Sequence, residues 1–269
     1  MKKVVAFNDI AALAGCTLGV LLPILTAGDC KVYPVPTAAF TSSTRVAGFR
    51  CQPMDDYLEM CEAHWAELDF EVDAVLTGCA GSARGVDTIA RILPSLKARG
   101  ALAIVDPVMG DDGHLFVSDE QVGSLRKLAR QADVICPNMT EFCALLGLDY
   151  TRAHLMDYAE QLQLLDSHVA SLGVKKVVVT GIRHADQVTN YVWVEGERTI
   201  ITHPYYNGSV CGTGDMFAGV MTLKLLQGKD LVSAVKCAGE WIQDIVKHPV
   251  KDPQFGLPIG SEQLAKLGK

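Results

Sequence analysis

Short runs of β-branched and apolar residues alternate along this chain with longer segments whose apolar positions recur every three or four residues. That rhythm gives a parallel sheet flanked by helices. The short runs predict strands at residues 4–7, 31–35, 74–77, 101–105, 134–136 and 176–180, and the helical period occupies 55–68, 83–98, 119–131, 139–147 and 155–172. Near residue 187 the rhythm changes, and alternating runs at 187–194 and 198–203 around Glu195-Gly196-Glu197 predict an antiparallel hairpin. Helices at 213–227 and 230–247 follow. The stretch from 248 to 260, with Pro249, Pro253 and Pro258, is expected to wrap the surface without regular structure. No repeat, low-complexity run or linker interrupts the pattern, so residues 1–269 are expected to form a single domain.

With 269 residues, 49% of them hydrophobic, the chain is long enough to bury a full α/β core. A net charge of −7 without any basic run excludes a nucleic-acid surface, which needs clustered Lys and Arg. The nine cysteines are scattered, odd in number and form no Cys-x-x-Cys pair, which fits reduced thiols in the cytoplasm rather than a disulfide framework or a zinc site. Lys2 and Lys3 before an uncharged stretch with Leu13-Ala14-Gly15-Cys16 imitate a lipoprotein cleavage signal. Asn8 and Asp9 interrupt that stretch, Pro23 lies within it, and apolar residues continue past the would-be cut, so a buried strand, loop and helix fit better and no membrane partner is expected.

The densest chemistry lies in Val210-Cys211-Gly212-Thr213-Gly214-Asp215, where two glycines and a carboxylate precede a helical stretch. Amides at a helix start attract phosphate. A carboxylate there repels phosphate unless it takes a proton from an attacking hydroxyl; the alternative is an ordinary acidic residue in a first helical turn. Asp106-Pro107-Val108-Met109-Gly110-Asp111-Asp112-Gly113 places carboxylates and glycines after one predicted strand, which also suits a plain turn. Asn138 and Glu141, three apart at a helix start, can face magnesium-bound waters or form a capping box. Thr180-Gly181 ends another predicted strand, offering a hydroxyl and a close backbone approach, or simply a turn. Ligands of open parallel sheets bind beyond the carboxyl ends of the strands, where these residues fall.

In this order, Asp-Pro-Val-Met-Gly-Asp at 106–111, Pro-Asn-x-x-Glu at 137–141, Thr-Gly at 180–181 and Gly-Thr-Gly-Asp at 212–215 resemble the ribokinase superfamily, and within it the vitamin B6 kinases. The resemblance implies a three-layer sandwich: a central, mostly parallel sheet with helices on both faces and the late antiparallel hairpin. It implies phosphoryl transfer from ATP to the 5′-hydroxymethyl group of pyridoxal, pyridoxine or pyridoxamine by a cytoplasmic homodimer. Asp215 would be the general base, and Gly212, Thr213 and Gly214 the anion hole. Asp111, Asn138, Glu141, Thr180 and Gly181 would bind ATP, with Asp111 and Glu141 holding Mg2+ partly through water; the resemblance also admits a monovalent cation such as K+. Asp106 would shape the loop.

The substrate end departs from that family. Asp9, Phe40, Thr44, Cys79 and Asp215 would contact the acceptor, but Thr41-Ser42-Ser43-Thr44-Arg45 stands where the family has Ser-Asn-His-Thr-Gly, and Cys79 stands where many members place Tyr or Phe. Asp9 is a partner for the ring nitrogen or 3-hydroxyl, or a buried cap. Cys79 and Cys211 can pack as small apolar groups or add to an aldehyde, and His114 reads as a solvated loop residue. Two other functions remain open: a hydroxymethylpyrimidine kinase of thiamine synthesis on the same scaffold, and a non-catalytic pyridine-binding protein.

Overall fold

Valines and leucines that alternate along the strands are buried on both faces of one sheet. Val5, Phe7, Val75, Val105 and Val177 join one apolar cluster, while Val4, Ala74, Leu76, Ile104 and Val178 join the other. This is why the central strands read as nearly continuous apolar runs. The computed structural model describes residues 1–206 and 210–268. Its strands are β1 (Lys2–Ala11), β2 (Cys30–Phe40), β3 (Cys51–Pro53), β4 (Ala74–Thr77), β5 (Leu102–Val105), β6 (Gly110–Asp111), β7 (His114–Leu115), β8 (Val134–Ile135), β9 (Lys176–His184), β10 (Gln187–Val194) and β11 (Glu197–Pro204). Nine of them form one sheet in the order β11-β10-β9-β8-β5-β4-β1-β2-β3, and β6 with β7 makes a separate small hairpin. Pairing is parallel from β2 through β1, β4, β5 and β8 to β9, and antiparallel at both edges.

The helices are α1 (Leu18–Ala27), α2 (Asp55–Ala66), α3 (Ala83–Ala98), α4 (Asp119–Ala129), α5 (Met139–Leu146), α6 (Tyr150–Leu155), α7 (Tyr158–His168), α8 (Thr213–Leu226), α9 (Leu231–Val246) and α10 (Ser261–Ala265). Through Leu58, Ile89, Leu125, Phe142, Ala153 and Leu165, α2 to α7 cover one face of the sheet; α1, α8 and α9 cover the other through Leu21, Val220 and Trp241. No helix among the described residues is long and apolar enough to cross a membrane.

Three departures from the predicted elements matter for the site. β1 continues through Asn8 and Asp9 to Ala11, with a register shift against β2 between Asn8 and Ile10, so two buried polar residues lie inside a strand rather than after it. β9 runs past Thr180 to His184 because β10 pairs along its extension. The single helix expected at 155–172 is broken: Asp157 and Glu160 form a capping box that restarts the chain as α7, which a 3-10 turn at Val169–Leu172 follows. Beyond residue 248 the chain is not wholly irregular, since it holds a 3-10 turn at Pro253–Phe255 and α10. The small elements β3, β6 and β7 carry no periodic signal that would announce them.

Candidate active site

Gly212 is the N-cap of α8 and adopts φ 85°. A side chain there would overlap the Gly15 carbonyl and meet Cys16 Cα at 3.0 Å, so both backbone angle and space require glycine. Met216 is the first α8 residue whose N–H bonds back to the helix, to the Gly212 carbonyl at 3.0 Å. The amides of Thr213, Gly214 and Asp215 thus lead the helix as donors without intrahelical partners. The Thr213 hydroxyl donates to the Val210 carbonyl at 3.1 Å.

Asp215 lies in that first turn and is bound at both oxygens. Asn8 Nδ2 donates to Oδ1 and the Thr17 backbone N–H donates to Oδ2, each at 2.9 Å. Thr17 caps α1 with φ 57°, and Leu13 in the same loop has φ 50°, so strained backbone brings the start of α1 to this carboxylate. Asp215 therefore sits at the positive ends of two helices. Burial pushes its pKa above the ordinary carboxylate range, while the Thr17 and Asn8 hydrogen bonds pull it back.

Asn138 and Glu141 form the full capping box of α5. Glu141 is buried; Oε1 accepts from Met109 N–H at 3.0 Å and Oε2 from Asn138 N–H at 2.8 Å. Asn138 Nδ2 donates to the Gly110 carbonyl at 2.7 Å. The pair thus fastens α5 to the loop that carries Asp106 and Asp111. Burial raises Glu141 to about 8, against the pull of those backbone donors, and burial with the neighbouring Glu141 also raises Asp106. Asp111 is more open, accepts from Asp112 N–H at 3.0 Å and faces Arg45 at 3.6 Å. No three His, Cys, Asp or Glu residues converge as a direct metal cage among the described residues. Magnesium in nucleotide sites usually keeps its waters and takes only one or two carboxylates besides phosphate, so the donor set fits Mg2+ entering with a nucleotide.

Thr180 and Gly181 lie within β9 rather than at its end. Thr180 pairs across to Asn138, its N–H donating to the Pro137 carbonyl at 2.9 Å, and Gly181 has φ 74°. A cavity of about 480 Å³ runs from these residues past Asp111 and Glu141 to Gly212–Asp215, and on to Asp9, Phe40, Thr44 and Cys79. Every site residue read from the sequence lines it. His114 is exposed and does not.

Several residues in or behind the cavity wall had no motif to mark them. Asn8, behind the wall, touches Asp215, and Arg183 pairs with Asp112 at 3.1 Å. Phe116 and Tyr205 add rings to the cavity wall. Asn190 reaches the Gly181 N–H at 3.4 Å from the hairpin strand. Its only sequence signal is a polar residue in an apolar strand. The Cys211 thiol is pulled down to about 7 by the neighbouring Cys16, which is itself pushed up. Asp9 is raised to about 8 by burial and by the Asp215 charge.

Comparison with known proteins identifies the family. Residues 24–259 match the phosphomethylpyrimidine kinase family. A pyridoxal kinase of Actinobacillus pleuropneumoniae is 28% identical over 197 residues, 70% of this chain and 67% of its own length. A hydroxymethylpyrimidine/phosphomethylpyrimidine kinase of Haemophilus influenzae is 28% identical over 85% of each chain. Among solved structures, a Bacteroides thetaiotaomicron protein named for phosphomethylpyrimidine kinase, crystallised with pyridoxal, superposes with a TM-score of 0.91 at 28% identity, covering 100% of this chain and 96% of that one. Pyridoxal kinase from Lactobacillus plantarum gives 0.87 at 27% identity, over 99% and 96%. The chain belongs to the phosphomethylpyrimidine kinase family of the ribokinase-like superfamily, whose chemistry is phosphoryl transfer to an alcohol.

Proposed function

We propose that this protein transfers the γ-phosphoryl group of ATP to the 5′-hydroxymethyl group of a vitamin B6 vitamer. The observation that carries the reading is the Asp215 carboxylate, held by Asn8 and Thr17 beside the free amides of α8, in a cavity that continues to Asp9 and Phe40. Asp215 takes the proton of the acceptor hydroxyl as its oxygen forms the bond to the γ-phosphorus, and the bond from that phosphorus to the β-bridging oxygen breaks to release ADP. The amides of Thr213 and Gly214, set by the left-handed Gly212, meet the charge on the transferring group. One such preorganised donor typically lowers the barrier by about 2.7–4 kcal/mol. Thr180 and Gly181 flank the β- and γ-phosphates. Mg2+ bound with ATP would offset phosphate charge, with Asp111 and Glu141 as the residues to hold it through water.

The relatives named as pyridoxal kinases, and the neighbour crystallised with pyridoxal, support B6 as the acceptor. A hydroxymethylpyrimidine acceptor is favoured by one feature, the small Cys79 in place of an aromatic ring. Initial rates of ADP release with pyridoxal, pyridoxine, pyridoxamine and hydroxymethylpyrimidine decide between them. A B6 vitamer is expected to give the highest kcat/KM, and a clear preference for the pyrimidine replaces the reading. The cytoplasmic, homodimeric state belongs to the same proposal. Free thiols at all nine cysteines support a reducing compartment, and light scattering tests the dimer.

A further inference from the structure

Asp9 is buried and lies near enough to the partly buried Asp215 to feel its charge. Asn8, the neighbour of Asp9 in β1, is 1% exposed. Its Oδ1 accepts the backbone N–H groups of Asp9 and Cys79, both at 2.9 Å. An atom that accepts two amide protons is the oxygen, so the orientation of this side-chain amide is fixed by its surroundings. Nδ2 is left to donate, and it donates to Asp215 Oδ1 at 2.9 Å. Gly78 closes the clamp, because a Cβ there would stand 2.5 Å from Asn8 Cγ and Nδ2. The Asp9 carboxyl is supported by its own backbone N–H, and among the described residues no side-chain hydrogen bond or ion pair reaches it.

We propose that Asn8 is a positioning residue that holds Asp215 in its ionised form through its clamped amide, while the Asp9 carboxyl, which lines the same cavity and lacks such a side-chain donor, donates a hydrogen bond to an acceptor atom on the ring of the alcohol substrate. This rests on the reading of Asp215 as general base. Both carboxylates are raised by burial, but only Asp215 is pulled back down by a side-chain donor, and Asp9 stands at about 8. Cys16, Cys79, Asp106, Cys136 and Cys211 also feel Asp215. All are acids. Arg45 enters this neighbourhood through Cys211, so the neutral amide of Asn8 and the Thr17 N–H are the groups that favour an ionised Asp215.

The test is the pH dependence of kcat at saturating ATP in Asn8→Ala, and in Gly78→Ala, which displaces the amide while keeping it. In both, the acid limb is expected to move up by about one to two pH units, the equivalent of one hydrogen bond to a charged group, with ATP-analogue affinity unchanged. An unmoved limb in either variant that still binds the analogue overturns the assignment. Asp9→Asn carries a permanent N–H where the acid proton would be and is expected to keep KM for the alcohol within about threefold, whereas Asp9→Leu raises it about three- to tenfold. Loss of binding in Asp9→Asn equal to that in Asp9→Leu means that Asp9 acts as an anion, which also overturns it. Asp215→Asn separates the two readings: undiminished turnover there refutes the base itself, whereas an inactive Asp215→Asn with unshifted Asn8 and Gly78 variants refutes only the role of Asn8.

Discussion

The two ends of the cleft are built from different material. In the proposed reading the phosphate end works through backbone amides, and the side chains there mostly hold backbone in place: Glu141 bonds the amides of Met109 and Asn138, and Gly212 leaves α8 with free donors. The ring end would work through side chains, Asp9, Phe40, Thr44 and Cys79, brought from β1, β2 and the segments after β2 and β4. Amide sites depend on local turn geometry, which tolerates few sequences. Side-chain sites change with single substitutions. A scaffold of this kind therefore keeps its phosphate chemistry while its acceptor drifts.

Asp215 belongs to both ends, and its removal should have the largest effect. Asp215→Asn is expected to lower kcat by about 10² to 10⁴, the range for loss of a general base, with binding of a non-hydrolysable ATP analogue retained. Analogue binding measured by calorimetry, beside turnover, checks both halves. Near-parental turnover removes Asp215 from the chemistry and leaves the phosphate end a binding site only.

Glu141→Ala probes whether a phosphate-end carboxylate has a second task. It leaves the Met109 and Asn138 amides without their acceptor, at about 1–3 kcal/mol for each buried unpaired donor. For a chain of this size Tm should fall by several degrees. The magnesium concentration for half-maximal activity should also rise, by more than KM for the alcohol. Superimposed magnesium titrations with a lowered Tm would assign Glu141 to capping alone.

The same contrast explains what the sequence could disclose. The parallel strands followed from apolar runs buried on both faces, and the phosphate end followed from motifs, because Gly-Thr-Gly-Asp and Pro-Asn-x-x-Glu are contiguous and each fixes its own backbone. Asn8 escaped because its partners, Asp215 and Cys79, are distant in sequence and meet it only when β1, β4 and α8 converge. Its polar side chain also argued for ending β1 early. The 155–172 period ran through a helix break because Leu155 and Met156 continue it, and only the capping box at Asp157 reveals the stop.

Cys79→Tyr tests the ring end directly. An aromatic contact contributes about 0.5–1.5 kcal/mol beyond buried area, so the variant should lower KM for a B6 vitamer by several-fold to tenfold with kcat little changed. Steady-state kinetics with each vitamer read the effect. Unimproved use of every vitamer, beside strong parental activity on another hydroxymethyl heterocycle, would show a pocket shaped for that other acceptor.

The last effect concerns stability and follows from the burial of Asp9. Asp9 is raised from 3.8 to about 8, so between those values the folded chain holds a proton that the unfolded chain has released. With more protons bound in the native state, stability falls as pH rises through that window; the contribution is fully present below about pH 4 and lost above about pH 8. Asp9→Asn cannot ionise and escapes this loss. The Tm difference between Asp9→Asn and the parent should therefore be small and constant near pH 4, grow in favour of the variant from pH 5 to 8, and level off at pH 9. Each kcal/mol of difference corresponds to about 2–4 °C in a protein of this size. Differential scanning calorimetry across that range reads it out. A difference that stays flat with pH would mean that Asp9 is ionised in the folded protein throughout, and the ring end would then present the acceptor with a negative charge instead of a hydrogen-bond donor.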